Sequence, residues 1–259
     1  MTVQGSSARQ QLHDLPPPPS FPPASAALFL DLDGTLAPIM PRPEHVGPDR
    51  RRAMLIKRLT ATLNGRVAVV SGRALDDLDR IFERGVTPVA AVHGLVRRDA
   101  DGHVVTSTPH SGIPDARLLL RDLARCDKGL QFEDKGVSVA LHYRNAPAAG
   151  EAVIETAERI ARNTGLVLQR GDMVVELRTP GQDKGQSVAA FLREQPFMGS
   201  TPIFVGDDLT DEDGFAAAAR LGGYGVLVGD MRPTAASYRL KDTAAVSAWL
   251  EGVATLMPA

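Results

Sequence analysis

A short apolar segment that ends in two acids limits most strongly what this chain can fold into. Residues Ala26–Leu30 contain no polar side chain, which is typical of a strand buried on both faces of a sheet. Asp31, Asp33 and Gly34 follow directly. Ligands bind at the carboxyl ends of strands in an open α/β sheet, and buried acids there are costly unless they hold a cation or take part in chemistry. The segment therefore predicts an enzyme.

Two further apolar segments, 66–70 and 202–205, also run into polar residues, and a predicted loop-to-helix junction between them offers a lysine. A carboxylate nucleophile, a hydroxyl, an ammonium group and metal-binding acids are the groups that hold and transfer a phosphoryl group. The residues that supply them, with the glycines and arginine beside them, are Ser71, Gly72, Arg73, Lys184, Gly206, Asp207 and Asp208.

The order of predicted elements indicates the fold class. Strand and helix patterns alternate over 26–110 and again over 180–259, which predicts right-handed βαβ units around a parallel sheet, a Rossmann-like α/β core. Residues 111–179 instead show a helix, a half-exposed strand, a second helix and two short strands, so we expect a smaller α+β domain inserted there. The proline-rich residues 1–25 predict a disordered, extended leader.

Composition excludes several classes of function. The net charge is −2, so the chain lacks the basic surface that nucleic acid binding needs, and we expect no nucleic acid partner. No apolar segment approaches the length of a membrane span, and the N-terminus lacks a signal pattern, so no membrane association is expected. The single cysteine, Cys126, fits a reducing compartment. We therefore predict a cytoplasmic protein.

The acids and the lysine can be given roles in phosphoryl transfer. Asp31 is the natural nucleophile, which would form an aspartyl phosphate. Asp33 would protonate the leaving oxygen and then deprotonate the attacking water. Lys184 and the Ser71 hydroxyl would bind the remaining phosphate oxygens. Thr35 could orient Asp33.

A divalent cation is expected because the Asp31 carboxylate and the phosphate are both anions, and their repulsion must be neutralised before the attack. Asp31, Asp207 and nearby backbone oxygens suit Mg²⁺, which prefers hard oxygen ligands. Asp33 and Asp208 are further candidates for this metal site. We therefore predict Mg²⁺ as the cofactor.

Each motif alone also has an ordinary explanation. The Asp-x-Asp-Gly pattern opens calcium loops, but Thr35 and Arg42 occupy positions where such a loop needs other residues. The acids from Asp207 onward could be a solvated helix start, and Lys184 could be a surface lysine. Their order, each after an apolar strand or at a helix start, makes a site the better interpretation.

These segments resemble the four motifs of the haloacid dehalogenase superfamily of phosphohydrolases. The middle of the chain narrows the resemblance to the bacterial trehalose-6-phosphate phosphatase family, over roughly residues 28–250. The segments that carry this narrower likeness are 31–39, 92–94, 133–136, 141–144 with Ala146 and Pro147, 175–176, and 206–212.

The resemblance implies that the inserted domain is a mobile cap that closes over the active site and holds the sugar of trehalose 6-phosphate. It assigns sugar binding to Glu133, Lys135 and Glu176, whose charged groups suit sugar hydroxyls. His142 and Arg144 either contact the sugar or only support the sheet. We interpret His93 as a structural loop residue outside the site.

Alternative functions are a phosphatase with the same cap type that acts on sucrose or mannosylglycerate phosphates, and a catalytically silent sugar-phosphate sensor. Functional coupling to a trehalose-6-phosphate synthase is a further expectation. Oligomeric state has no signature in the sequence.

Overall fold

The computed structural model describes residues 14–85 and 88–255, whose strands form two separate sheets. In chain order the strands are β1 (Ala26–Leu30), β2 (Val67–Val70), β3 (Val89–Ala91), β4 (Val96–Arg98), β5 (Val104–Thr106), β6 (Gln131–Asp134), β7 (Ser138–His142), β8 (Val167–Gly171), β9 (Val174–Arg178), β10 (Thr201–Gly206), β11 (Tyr224–Val228) and β12 (Tyr238–Leu240). The helices are α1 (Arg50–Thr62), α2 (Leu75–Ile81), α3 (Ile113–Cys126), α4 (Gly150–Thr164), α5 (Lys184–Phe191), α6 (Glu212–Arg220) and α7 (Thr243–Ala254).

The larger sheet has the strand order β12-β11-β10-β1-β2-β3-β4-β5. The strands from β12 to β3 are parallel to their neighbours, whereas β4 and β5 extend the sheet by antiparallel pairing. Strand β1 is central and fully buried, with apolar clusters on both faces. This arrangement confirms the predicted Rossmann-like α/β core.

The register of the central strands brings the polar segments to one edge. Leu30 pairs with Val205 of β10 on one side and with Val69 of β2 on the other. The backbone N–H of Asp31 donates to the carbonyl oxygen of Val205 at 2.9 Å. The residues that follow β1, β2 and β10 therefore meet at the carboxyl end of the sheet, as the sequence predicts.

The smaller sheet is antiparallel, with the order β6-β7-β9-β8, and α3 and α4 pack against it. Val139, Leu141 and Leu177 are fully buried in the apolar cluster that these helices share with the sheet. This sheet and its two helices form the inserted α+β cap. Strand β6 is half-exposed and is not predicted as a strand by its sequence, nor are the three-residue strands β4, β5 and β12.

One row of cross-strand neighbours runs across all four strands of the cap sheet. Glu133 pairs with Ala140, Ala140 with Glu176, and Glu176 with Gln169. Directly paired residues lie on the same face of an antiparallel sheet. The candidate sugar-binding acids Glu133 and Glu176 therefore lie on one face, on either side of β7.

The described part of the leader, residues 14–25, packs against the core and contains neither helix nor strand. Phe21 is 6% exposed, and its ring meets that of Trp249 edge-on at 5.6 Å. The guanidinium of Arg66 donates to the carbonyl oxygens of Pro23, at 2.7 Å, and Ala24, at 2.9 Å. The leader was predicted to be disordered, but residues 14–25 make specific contacts: Phe21 packs on Trp249 of α7, and the carbonyls of Pro23 and Ala24 accept from Arg66 beside β2. Residues 1–13 lie outside the described residues.

The helices of the described residues include none with the length and apolar character that crossing a membrane requires.

Candidate active site

Three carboxylates converge beyond the ends of β1 and β10. Ligand oxygens of Asp31, Asp207 and Asp211 all lie within 4.8 Å of one another. Asp31 is 4% exposed and Asp211 is fully buried. Buried acids this close together need positive charge nearby.

Lys184 supplies part of that charge from the first residue of α5. Its Nζ donates to Oδ1 of Asp31 at 2.9 Å and to Oδ1 of Asp211 at 2.6 Å. The carboxylate of Asp183 accepts from the backbone N–H of Gln186 and so begins the helix at this point. Burial opposes the charged form of Lys184, but Asp211 and Asp31 outweigh it and raise its pKa above the ordinary value.

The acids carry more negative charge than Lys184 balances. Burial raises the pKa of Asp31 well above its ordinary value, and the charges of Asp211 and Asp207 add to this against the effect of Lys184. Burial and the charge of Asp211 raise the pKa of Asp207 to about 7. Closely spaced oxygens with a surplus of negative charge are the donor set that a divalent cation prefers, so these residues fit a divalent metal.

Gly34 makes room for this cluster. A Cβ atom at Gly34 would lie 2.0 Å from Oδ2 of Asp207, and the residue has a φ of +78°, which favours glycine. The hydroxyl of Thr35 donates to Oδ1 of Asp207 at 3.4 Å. Thr35 therefore contacts Asp207, whereas the sequence analysis expected it to orient Asp33.

Asp208, a predicted candidate for the metal site, and Asp211 have different surroundings in the turn before α6. The carboxylate of Asp208 accepts from the backbone N–H of Leu209 at 2.7 Å and caps the turn that leads into α6. Oδ2 of Asp211 accepts from the backbone N–H of Asp208 at 2.9 Å, while its other oxygen contacts Lys184. Asp211 is the acid that sequence reasoning missed; its signal was the spacing i, i+4 from Asp207 at a helix start.

Arg73 lies between two acids of the core. Its Nε and Nη2 donate to the two carboxylate oxygens of Asp33 at 2.6 and 2.8 Å. Its Nη1 contacts the carboxylate of Asp77 and also donates to the carbonyl oxygen of Pro43 at 3.0 Å. Burial opposes its charge, but Asp33 and Asp77 raise the pKa of Arg73 above the ordinary value. The predicted substrate-binding arginine is thus engaged with the predicted general acid.

Ser71 and Gly72 also line the cavity. Ser71 is 1% exposed, and its Oγ accepts from the backbone N–H of Arg73 at 3.3 Å. A Cβ atom at Gly72 would lie 2.5 Å from Nε2 of His93, so the loop needs glycine here. The carbonyl oxygen of Gly72 accepts from Nζ of Lys135, at 3.0 Å, which links the core to the cap.

The cap contributes a buried ion pair above this loop. Nζ of Lys135 donates to Oε2 of Glu176 at 2.9 Å and lies 3.8 Å from Oε2 of Glu133. The Ser138 hydroxyl donates to Oε1 of Glu176 at 2.6 Å. Burial would raise the pKa of Glu176, but Lys135, with His93 and Ser138, lowers it below its usual range. Glu176 is therefore an anion at neutral pH.

The remaining cap candidates lie farther out on the same side. Nε2 of His142 lies 3.0 Å from Oε2 of Glu133. Arg144 donates to Asp172 of the turn between β8 and β9, at 2.8 Å to Oδ2. Both line the cavity, and both also support neighbouring cap residues.

His93 lies in the wall of this cavity and is not among the residues that the sequence assigns to the site. It is 7% exposed, and its Nε2 lies 3.6 Å from Oε2 of Glu176 and 2.9 Å from Nε2 of Gln169. Burial lowers the pKa of His93, so the ring is neutral at neutral pH. Gln169 also lines the cavity, and its position across from Glu176 comes from the observed pairing of β8 with β9, for which the sequence carries no signal.

Core and cap residues together line a cavity of about 250 Å³. The core contributes Asp31, Lys184 and Asp207 to its lining, and the cap contributes Glu133 and Glu176. Acids and a lysine at the carboxyl end of a parallel sheet, together with an inserted α+β cap, form the arrangement that the resemblance to the haloacid dehalogenase phosphohydrolases implies.

Comparison with known proteins gives the family. The chain belongs to the trehalose-phosphatase family, which it matches over residues 29–244. It is 40% identical to trehalose-6-phosphate phosphatase of Escherichia coli K12, over 90% of this chain and 88% of the relative. It is 37% identical to a probable trehalose-phosphate phosphatase of Sinorhizobium fredii, over 80% and 79% of the two chains.

Solved structures agree on the fold. The C-terminal domain of the C. albicans trehalose-6-phosphate phosphatase matches with a TM-score of 0.80, at 22% identity over 90% of this chain and 93% of that chain. A trehalose-6-phosphate phosphatase related protein matches with a TM-score of 0.75, at 26% identity over 90% and 98%.

Proposed function

We propose that this chain hydrolyses trehalose 6-phosphate to trehalose and inorganic phosphate. The observation that carries the proposal is one cavity lined by an Asp31–Lys184 pair from the core and by a charged cluster from the cap. The core pair suits a phosphoryl group, and the cap cluster suits sugar hydroxyls. The Escherichia coli relative, which carries the name of this activity, supports the same assignment.

The chemistry takes two steps. An oxygen of Asp31 attacks the phosphorus, the bond from phosphorus to the sugar oxygen breaks, and Asp33 gives that oxygen its proton. Asp33 then accepts a proton from the water that attacks the aspartyl phosphate, and the bond from phosphorus to Asp31 breaks. Lys184 and Ser71 hold the phosphate oxygens in both steps.

Mg²⁺ is the cation that we propose for the acidic cluster. Asp31 and Asp207, with the backbone carbonyl of Asp33, would hold it, while Asp211 balances Lys184 and Asp208 caps the adjoining turn. The cation would reduce the repulsion between the nucleophile and the phosphate dianion. Chelation should abolish activity and added Mg²⁺ restore it, whereas Ca²⁺ should inhibit because its longer bonds suit a different geometry. Full activity in excess chelator would contradict this assignment.

We propose residues 111–179 as the bounds of the cap, between the core segments 26–110 and 180–259. Glu133, Lys135 and Glu176 would bind the sugar when the cap is closed, and thereby exclude bulk solvent from the site during transfer of the phosphoryl group to Asp31. His142 and Arg144 would either join them or hold Glu133 and the β8–β9 turn in place. A leader at residues 1–25 would lie outside this machinery.

The decisive experiment measures phosphate release from trehalose 6-phosphate, glucose 6-phosphate and sucrose 6-phosphate. We expect preference for trehalose 6-phosphate, and a loss of several orders of magnitude in Asp31→Asn, which retains the shape of the side chain but not its charge. Preference for another ester would indicate a different sugar-phosphate phosphatase of this cap type. No turnover of any ester by the folded wild-type protein would indicate a sensor instead.

A synthase is the natural functional partner, since it would supply the substrate. The supporting observation is a Thermoproteus tenax relative named bifunctional trehalose-6-phosphate synthase/phosphatase, 35% identical over 86% of this chain. The matched region covers 31% of that relative. Co-purification of this chain with a synthase, or faster transfer of the intermediate when both are present, would support the coupling.

A further inference from the structure

Arg73 connects the predicted general acid to an acid on helix α2. Both oxygens of Asp33 accept from Arg73, and the third donor group of the same guanidinium contacts Asp77. The Arg73 side chain is 9% exposed, whereas those of Asp33 and Asp77 are 36% and 27% exposed. Arg73 is buried and its guanidinium is planar and rigid, so a shift of Asp77 would move Arg73 and, through it, Asp33.

Asp77 is itself held in place from its other side. Its Oδ1 accepts from Nε of Arg80 at 3.1 Å, and Nη2 of Arg80 donates to the carbonyl oxygen of Val46 at 3.1 Å. The planar guanidinium of Arg73 can rotate about its long side chain unless more than one partner fixes it. With Asp77 and the Pro43 carbonyl on one side and Asp33 on the other, its plane is fixed.

The position of Asp33 matters for one half-reaction in particular. A sugar alkoxide is a poor leaving group and needs a proton as the phosphorus–oxygen bond breaks, whereas p-nitrophenolate leaves without one. The bidentate pair uses one lone pair of each Asp33 oxygen and leaves another on each for a proton. A misplacement of about 1 Å can cost on the order of a hundredfold in rate.

We propose that Asp77 is a positioning residue for the departure of the sugar, which acts by holding Arg73 against Asp33. The proposal rests on the proposed function, since it assumes Asp33 as the general acid for an alkyl phosphate. Asp77 does not need to contact the substrate in this role.

Asp79 provides a matched control on the same helix. Its carboxylate accepts two hydrogen bonds from Arg98, at 2.7 and 3.0 Å, and its side chain is 16% exposed. This ion pair joins α2 to β4 and does not contact Asp33. Asp77→Asn and Asp79→Asn therefore remove similar charges, but only the first changes the support of the general acid.

The test compares kcat/KM for trehalose 6-phosphate and p-nitrophenyl phosphate in both variants. For each substrate, kcat/KM depends on the steps up to departure of the leaving group and not on the later hydrolysis of the aspartyl phosphate. In Asp77→Asn we expect a loss of about ten- to a hundredfold on trehalose 6-phosphate and less than about threefold on the aryl ester. Asp79→Asn should change both by less than about threefold.

Two further measurements separate positioning from binding and from folding. The inhibition constant of trehalose 6-sulfate, an unreactive analogue, should be unchanged in Asp77→Asn if sugar binding is intact. Asp77→Glu, which retains the charge, should recover part of the lost kcat/KM and serves as the second variant if Asp77→Asn does not fold, as judged by thermal unfolding.

Equal losses on the two esters, or a loss on trehalose 6-phosphate no larger than that of Asp79→Asn, would overturn the proposal. An inhibition constant of trehalose 6-sulfate that rises by the same factor as kcat/KM for trehalose 6-phosphate falls would also overturn it, because Asp77 would then act in sugar binding. Failure of the wild-type protein to turn over trehalose 6-phosphate would refute the proposed function instead, and the two failures are therefore distinguishable.

Discussion

Glu176→Gln is the substitution that tests the cap most directly. The Glu176 carboxylate is 6% exposed and accepts from Lys135 and Ser138 at 2.9 and 2.6 Å. Glutamine has the same shape, so the fold of β9 should be retained. It carries no charge, however, and one of its two polar atoms is a donor that would face either the ammonium or the hydroxyl.

The expected loss in kcat/KM follows from the charged hydrogen bond that Glu176 would make to the sugar and that glutamine cannot replace in full. A hydrogen bond to a charged group contributes about 1.5–3 kcal/mol, which corresponds to about 10- to 150-fold in kcat/KM if it is made in the transition state. Lys135 stays within 3.8 Å of Glu133, so its charge retains a partner and the protein should remain folded. The expected loss on trehalose 6-phosphate therefore lies in that range.

The assay measures kcat/KM for trehalose 6-phosphate and for p-nitrophenyl phosphate, which has no sugar for the cap to hold. We expect the second to change by less than about threefold. Glu158→Gln on the outer side of the cap is the matched control, because Glu158 pairs there with Arg170 and Arg162. Equal losses on both esters would refute the reasoning and would assign Glu176 to folding or to the core site.

Three further outcomes follow from the structure. Gly34→Ala should lower phosphatase activity at least about a hundredfold, because the new Cβ would displace Asp207, whereas Gly47→Ala, which has open space around it, should retain activity in the same assay. Phe21→Ala should lower the free energy of unfolding by about 3 kcal/mol in denaturant titrations and Ser20→Ala hardly at all; equal effects would show that the leader contributes no packing. The pKa of Glu176 lies below its ordinary 4.5, so its stabilising charge is present at neutral pH and is lost in acid. The stability difference between wild type and Glu176→Gln should therefore shrink as the pH falls below about 4.5, and a pH-independent difference would contradict this.

The central strands of the core could be predicted because a continuous apolar segment indicates a strand that is buried on both faces of a sheet. The segments that form β1, β2 and β10 read as continuous apolar strands, and the polar residues after them follow from chain order alone. Short edge strands give no such signal. Strand β5 has three exposed residues, and β12 has only one buried residue, so neither their period nor their composition distinguishes them from loops.

The spacing of Asp211 from Asp207 makes it a candidate for the third acid, but spacing alone does not decide between Asp208 and Asp211, because the outcome depends on packing across the site. A Cβ atom at Gly206 would lie 2.2 Å from Cγ of Asp211, so a glycine in one motif allows the burial of an acid five residues later. Asp208 and Asp211 are indistinguishable as carboxylates in the sequence. The direction of each side chain is set by the turn that begins α6.

The leader illustrates a different limit. Its prolines indicate an extended conformation; residues 14–22 form neither helix nor strand, and residues 23–25 form a turn. Composition does not show whether the core has a surface on which such a segment packs. The partners of Phe21 and of the Pro23 carbonyl are Trp249 and Arg66, which are distant in sequence.

The loop after β2 shows how the two halves of the site depend on each other. Three consecutive residues have three different surroundings: Ser71 lines the cavity, the Gly72 carbonyl accepts from Lys135 of the cap, and Arg73 donates to Asp33. Because the residues are consecutive, a displacement of this loop would alter the cavity wall, the contact with the cap and the position of Asp33 together. The close approach of Gly72 to the buried ring of His93 restricts such a displacement.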